Sequence, residues 1–235
     1  MSVSLPIIAA IETSTELASV ALICGDRLVS RESSGAQTHS MTVLGLLQSL
    51  LREQEITLGQ CDALAFGSGP GSFTGVRTAC GLAQGLAFGA NLPVVPVVTL
   101  LAMADAARSQ GAGDNIVAVL DARMGEVYWA QYRFDERWHI VVEPCLSAPE
   151  HVVATGASCV TGNALAVYAD RFTGLSPAPH WPELMPHASS IALLGRQWAQ
   201  QGQVVHARDA QPLYLRNKVA LTTAERSVRS TGADA

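Results

Sequence analysis

One pattern of strand, acid, turn and strand occurs twice in this chain. Residues 8–12 form an apolar run that ends in an acid, and a turn leads to a second apolar run at 17–22. Residues 117–121 and 127–132 repeat the same order. Acids are common where strands end, so a chance match is the alternative. A true repetition predicts that two similar units make up the fold.

A polar, glycine-bearing break at 111–115 separates the two copies and predicts an N-terminal lobe at 1–110 and a smaller, divergent lobe at 111–235. In the first lobe, strand and helix periods alternate, which implies a parallel crossover and an α/β fold. The predicted strands are 7–11, 17–24, one from 27, 61–66 and 94–98, and the predicted helices are 40–54, 75–90 and, in the second lobe, 189–201.

The composition predicts a soluble, cytoplasmic protein. Apolar residues make up 49% of the 235, enough for a sizeable core, and the net charge of -5 provides no basic field that would hold nucleic acid by itself. Five cysteines without a C-x-x-C pair indicate reduced thiols of a cytosolic protein. Pro93 and Pro96 interrupt the apolar segment 76–104, so we expect no membrane span.

The glycine-rich segment 67–77 follows a predicted strand and opens a predicted helix. Glycines permit positive φ and leave backbone N–H groups free, so this turn is a candidate anion or nucleotide loop. Its candidate residues are Gly69, Gly71, Ser72 and Thr74. The alternative is a tight turn with an ordinary helix cap. The spacing matches neither a Rossmann fingerprint nor a P-loop.

The acids that end the two repeated strands are further candidates for this site. The candidates are Glu12, with Thr13 and Ser14 after it, and Asp121. A carboxylate at these positions can orient a phosphate or bind a metal. The alternative is that both acids are solvated residues of a turn. The six histidines are too scattered to read as a metal site, and no nucleophile elbow is present. We therefore assign no catalytic residue and no metal ligand.

The predicted helix 75–90 carries glycines at four-residue intervals. Each interior glycine costs about 1 kcal/mol relative to alanine, so another backbone is expected to approach that face closely. A subunit interface shared with helix 40–54 is one interpretation, and packing on the chain's own sheet is the other. The candidate interface residues are Met41, Leu44, Leu47, Arg77, Thr78, Gly81, Leu82, Gly85 and Gly89.

Three segments carry a resemblance to a known family: GSGPGSFTGVR at 67–77, DARMGEVYWA at 121–130 and PLYLRN at 212–217. The opening at 11–15 is similar as well. In this order they resemble the TsaB (YeaZ) family, paralogous to the TsaD/Kae proteins within the actin-like, sugar-kinase and Hsp70 (ASKHA) superfamily. The resemblance implies a two-lobed actin-like ATPase fold, with duplicated RNase H-like lobes whose mixed sheets are flanked by helices.

The resemblance also implies a function. TsaD transfers a threonylcarbamoyl group to N6 of the adenosine beside the tRNA anticodon, and members of this family dimerise with TsaD and activate it. In these dimers the helices that correspond to 40–54 and 75–90 pack against the equivalent pair of a second subunit. The TsaE ATPase joins the complex, a homodimer is an alternative assembly, and tRNA is reached indirectly through the complex.

Departures from the catalytic relatives indicate a non-catalytic subunit without a cofactor. The paired metal-binding histidines of TsaD are missing, the second lobe has no glycine-rich adenosine loop, and the first turn at 13–15 lacks a glycine. A stand-alone ASKHA-type phosphotransferase that uses Glu12 and Asp121 around Mg-ATP is the main rival hypothesis. A peptidase is a third, without a motif to support it.

Overall fold

Two five-stranded sheets with the same topology form the frame of the protein. The computed structural model describes residues 5–34, 39–175 and 178–216. The first sheet contains β1 (Ile8–Glu12), β2 (Leu17–Cys24), β3 (Arg27–Ser34), β4 (Ala63–Gly69) and β5 (Val94–Val98). The second contains β6 (Asn115–Arg123), β7 (Glu126–Asp135), β8 (Arg137–Ser147), β9 (Cys159–Thr161) and β10 (His180–Trp181).

The strand orders confirm the predicted duplication. The first sheet is ordered β3-β2-β1-β4-β5, and the second is ordered β8-β7-β6-β9-β10. In each sheet the first three strands of the unit form an antiparallel meander, and the fourth strand adds to the first in parallel. The predicted class, a duplicated RNase H-like α/β fold with mixed sheets, is therefore confirmed.

The helices are α1 (His39–Glu53), α2 (Phe73–Ala90), α3 (Thr99–Ser109), α4 (Ala164–Val167) and α5 (Ala188–Gln200). Side chains alternate along the fully buried strand β1 and point to two different cores. Ala9 and Ile11 face α1 and α2 on the outer side of the first sheet. Ile8 and Ala10 face a second core that includes α3, α5 and the second sheet.

The long helices α3 and α5 connect the two halves of the molecule. Helix α5 follows the second sheet in the chain but contacts β1, β2 and β4 of the first sheet, while α3 follows the first sheet and contacts β6. A glycine permits the close packing of α5, because a Cβ at Gly195 would lie 2.6 Å from the Cβ of Ala65. The lobe boundary at residues 110 and 111 stays a prediction.

The second half is a reduced version of the first. A 3-10 turn at Pro149–His151 stands between β8 and β9, where the first half has the fifteen-residue α1. The four-residue α4 stands where the first half has the eighteen-residue α2. The outer face of the first sheet therefore carries two long helices, α1 and α2, where the corresponding described segments of the second half are short. Over the same residues, no helix is both long and apolar enough to cross a bilayer.

Candidate functional site

The first turn and the glycine-rich loop are locked together at the start of α2. The Thr13 hydroxyl donates to the carbonyl of Gly75 over 2.7 Å, and the Ser72 N–H donates to the carbonyl of Ser14 over 2.7 Å. Ser72 is also the N-cap of α2, because its hydroxyl accepts from the N–H of Gly75. The helix therefore begins at Phe73, two residues before the predicted start.

Close packing against the first turn requires glycine at two positions of this loop. A Cβ at Gly71 would lie 2.5 Å from the Cβ of Ser14, and one at Gly75 would overlap the carbonyl oxygen of Thr13. Positive φ is confined to another position of the loop, Gly69, at 101°. Residues of the first turn occupy the space beside Gly71 and Gly75. The inner part of the glycine-rich loop is therefore a tight structural turn.

Glu12 does not face solvent. Its side chain is fully buried, its Oε1 accepts from the N–H of Ser14 over 2.5 Å, and its Oε2 accepts from the Thr99 hydroxyl over 3.3 Å. Burial raises the pKa of this carboxyl group, although the hydrogen bonds act in the opposite direction. Glu12 joins the first turn to the start of α3. Its carboxyl group is therefore neither solvated nor free to bind a ligand.

Asp121 occupies the equivalent position in the second sheet and stabilises a tight hairpin. Its Oδ1 accepts from the N–H of Arg123 and from the Tyr168 hydroxyl, each over 2.7 Å. Arg123, Met124 and Gly125 have φ values of 61°, 58° and 77°, so the turn is left-handed throughout. Such a turn is costly for side chains other than glycine and needs support from its surroundings.

Arg216 supplies that support from the C-terminal end of the described chain. Its guanidinium group donates to Glu126 over 2.6 Å and to the carbonyl of Ala122 over 3.1 Å. The arginine belongs to the PLYLRN segment, whose last residue, Asn217, lies outside the described residues. Sequence reasoning had no signal for this contact, because 90 residues separate the two partners.

A cleft of about 810 Å³ opens between the first turn, the glycine-rich loop and this hairpin. Segments 14–16, 71–75 and 120–124 line it, together with Tyr128, Asn163 and Arg216. The predicted candidates Ser14, Gly71, Ser72, Thr74 and Asp121 are thus brought together, while Glu12, Thr13 and Gly69 lie outside the cleft wall. Among the described residues, no three His, Cys, Asp or Glu side chains converge in a way that would hold a metal ion.

Three of the four glycines of α2 face solvent. A Cβ at Gly81, Gly85 or Gly89 would meet nothing within 4 Å, whereas the neighbouring alanines of the helix are buried against the sheet. Close packing of this face on the chain's own sheet, the alternative interpretation, does not occur. We call the outward surface of the two helices the α1–α2 face.

Most of the predicted interface residues lie on the α1–α2 face. Met41 is 78% exposed, Arg77 is exposed, and Leu44, Thr78 and Leu82 are half-buried. Leu47 is different, because it is only 2% exposed and packs with Val43 and Leu50 in the core beneath α1. We therefore remove Leu47 from the surface set.

One large residue of this face is missing from the predicted set. Phe88 is 82% exposed, the highest value among the large apolar side chains described. It follows Gly81 by seven residues and Gly85 by three, so helical spacing places it on the same face. That spacing was the signal that could have found it.

Comparisons with known proteins agree on one family. The family profile "TsaD: tRNA N6-adenosine threonylcarbamoyltransferase" matches residues 33–221. The tRNA threonylcarbamoyladenosine biosynthesis protein TsaB of Haemophilus influenzae is 36% identical over 89% of this chain and 93% of its own length. TsaB of Escherichia coli is 37% identical over 91% of this chain and 96% of its own length.

A solved structure gives the same result. The structure of YeaZ from Pseudomonas aeruginosa superposes with a TM-score of 0.84 at 33% identity, covering 90% of this chain and all of that one. Sequence and fold therefore agree along nearly the whole chain. The chain belongs to the TsaB (YeaZ) family, as its three motifs predict.

Proposed function

We propose that this chain is the non-catalytic partner subunit of a tRNA threonylcarbamoyladenosine synthesis complex in the cytoplasm. It dimerises with TsaD and activates it, and TsaD transfers the threonylcarbamoyl group to N6 of the adenosine beside the anticodon. The names of the relatives from Haemophilus influenzae and Escherichia coli support the process. The α1–α2 face supports the role of a partner subunit.

The solvent-facing glycines of α2 are the observation that carries this proposal. Gly81, Gly85 and Gly89 weaken the helix, and a Cβ at any of the three would meet nothing within 4 Å in this chain. A second helix that packs across them would use the space that a side chain otherwise fills. Met41 and Phe88, both more than three-quarters exposed, would be covered in the same association.

The two strand-ending acids support a non-catalytic role. The Glu12 carboxyl group is buried and bonded to the chain's own first turn, and Asp121 is bonded to its own hairpin. Both acids of the rival hypothesis are therefore used to hold local structure. A Mg-ATP site would require these contacts to be exchanged for contacts with ligand.

Three further features belong to the proposal. TsaE joins the complex as a third protein, tRNA is reached through the complex, and a homodimer through the α1–α2 face competes with the heterodimer. The cleft with Ser72, Thr74 and Asp121 is the proposed place for an anionic group.

Co-purification with TsaD of the same organism tests the proposal. We expect a one-to-one complex, and threonylcarbamoyl transfer to tRNA only when both proteins are present with the remaining components. Gly85→Leu should abolish the complex while the melting temperature stays near that of the wild type, because the new side chain points to solvent. Full transfer activity without this chain would refute the proposal.

One observation of the structure favours the phosphotransferase hypothesis, namely the size of the cleft. A volume of about 810 Å³ is large enough for a nucleotide. Calorimetric titration of the purified chain with Mg-ATP separates the two functions. Tight binding followed by turnover of a small acceptor without TsaD would favour the phosphotransferase.

A further inference from the structure

An exposed arginine at the start of α2 is fixed in place by two aromatic rings. The guanidinium carbon of Arg77 lies 3.6 Å from the centroid of the Phe73 ring and 5.4 Å from that of the Tyr214 ring. Its Nε donates to the Tyr214 hydroxyl over 2.6 Å. An exposed arginine normally samples many rotamers, and this arrangement restricts it to one before any partner arrives.

Tyr214 is itself held by the C-terminal segment 210–216, which crosses the glycine-rich loop. The Leu213 N–H donates to the carbonyl of Ser68 over 2.7 Å, and the Gln84 side chain donates to the carbonyl of Ala210 over 2.9 Å. The position of Arg77 is therefore set by a backbone segment anchored at both ends, since Arg216 binds the hairpin beyond it.

Arg77 forms no ion pair with any acid in the described part of the chain. Its Nε is used by Tyr214, which leaves the two terminal nitrogens as a planar fork. Such a fork matches the two oxygens of a carboxylate, and stacking on a ring does not block it. Arg77 and Gly81 are four residues apart and Gly85 follows after four more, so the fork stands at one end of the glycine stripe.

A second copy of this chain offers little to this arginine. Helix α2 contains no acid, and α1 contains only Glu53, which is already paired with Arg31 over 2.6 Å. Glu55, two residues beyond α1, is the next carboxylate along the chain. Two copies that meet through their α1–α2 faces therefore bring cations together and few anions.

We propose that Arg77 is a specificity-determining residue of the α1–α2 face: it selects a different protein whose docking helices carry Asp or Glu, in preference to a second copy of this chain. Tyr214 is its positioning residue. Matching charge raises the affinity for the acidic partner, and the same charge disfavours the homodimer. This inference rests on the proposed association with TsaD and states what chemistry that partner presents.

The test compares heterodimer and homodimer affinities for three variants. Arg77→Gln keeps a polar side chain of similar reach and removes the charge. Tyr214→Phe keeps the ring and removes the hydroxyl. Arg27→Gln is the matched control, because it removes one charge from the exposed end of β3. Sedimentation equilibrium gives the homodimer, and biolayer interferometry with TsaD at two salt concentrations gives the heterodimer.

We expect Arg77→Gln to weaken the heterodimer by roughly 30-fold or more, with a smaller salt dependence than the wild type, and to leave the homodimer unchanged or tighter. Tyr214→Phe should weaken only the heterodimer, by roughly 2- to 10-fold, because the arginine regains rotamers. Arg27→Gln should change neither. Melting temperatures exclude unfolding as the cause, and Tyr214→Phe provides the answer if Arg77→Gln does not fold.

Equal weakening of both dimers, or a heterodimer unaffected by Arg77→Gln, would overturn the inference. Failure of the wild-type chain to bind TsaD would instead overturn the proposed function. In that event the homodimer decides the inference: tightening by Arg77→Gln supports selection against self, and weakening refutes it.

Discussion

The same substitution should have opposite effects in the first turn and in the interior of α2. Gly81→Ala and Gly85→Ala add a methyl group in open space, so each should stabilise the isolated subunit by about 0.5–1 kcal/mol through helix propensity. Gly75→Ala places its methyl group against the Thr13 carbonyl and 2.6 Å from Ser72 Oγ, the helix cap. Overpacking there should cost about 1–3 kcal/mol.

These values correspond to clear shifts in thermal unfolding. At about 2–4 °C per kcal/mol for a chain of this size, Gly81→Ala and Gly85→Ala should each raise Tm by roughly 1–4 °C, and Gly75→Ala should lower it by roughly 2–12 °C. Circular dichroism and urea unfolding at protein concentrations where the subunit is monomeric provide the measurement. The low concentration matters because added methyl groups on the α1–α2 face should also weaken association.

The refuting result is specific. If Gly85→Ala lowers the stability of the monomer, the glycine face packs inside the chain and the proposed interface loses its physical basis. If Gly75→Ala leaves Tm unchanged, the first turn and the glycine-rich loop are not in contact as described. Gly45→Ala on α1, where a Cβ also meets nothing within 4 Å, is the matched control for propensity alone.

Three further predictions concern buried charge, pH and metal content. Burial raises the pKa of Glu12 above its ordinary value of 4.5. The contribution of Glu12 to stability is therefore complete below pH 4.5 and is lost as the pH rises through the folded pKa. Glu12→Gln should increase Tm over that of the wild type by more at pH 7 than at pH 4, and a larger gain at pH 4 would contradict this. Burial lowers the pKa of His187, the N-cap of α5, below 6.5. The free energy of unfolding should therefore decline as the pH falls from 6.5 through the folded pKa. His187→Asn keeps a capping acceptor and should flatten that decline, as measured by urea titrations at several pH values. Elemental analysis of the purified chain should find no stoichiometric transition metal, and one iron or zinc per chain would show that a site was missed.

The sequence alone predicts the strands and helices whose residue pattern is local. Strand alternation, the α1 stripe and the repeated acid predict the first sheet and the first two strands of its duplicate, β6 and β7, because burial of one face imposes these periods on the chain. Helix α3 was not predicted, since it follows β5 without a turn and its polar residues are few. Strand β8 was missed because its alternation is irregular, with Pro144 inside it and two register shifts against β7.

Contacts over long sequence separations explain the remaining misses. The sequence places Glu12 at a strand end, where acids are usually solvated, but Gly67 and Thr99 approach it from β4 and α3 and bury it. Leu47 matches the periodicity of both the inner and the outer face of α1, and only the position of the sheet decides between them. The fixation of Arg77 by Tyr214 joins residues 137 positions apart, which no periodicity encodes.

Helices α3 and α5 each contact the sheet of the other half of the molecule, and this has a consequence for synthesis of the chain on the ribosome. When the first 110 residues have emerged, the inner face of the first sheet, with Ile8, Ala10 and Ala65, lacks the helix that covers it. That helix is made about 80 residues later, so a nascent chain exposes an apolar surface for several seconds at ordinary rates of elongation. Chaperone binding to nascent chains should therefore persist until α5 has left the exit tunnel, and stalling before residue 200 should favour aggregation.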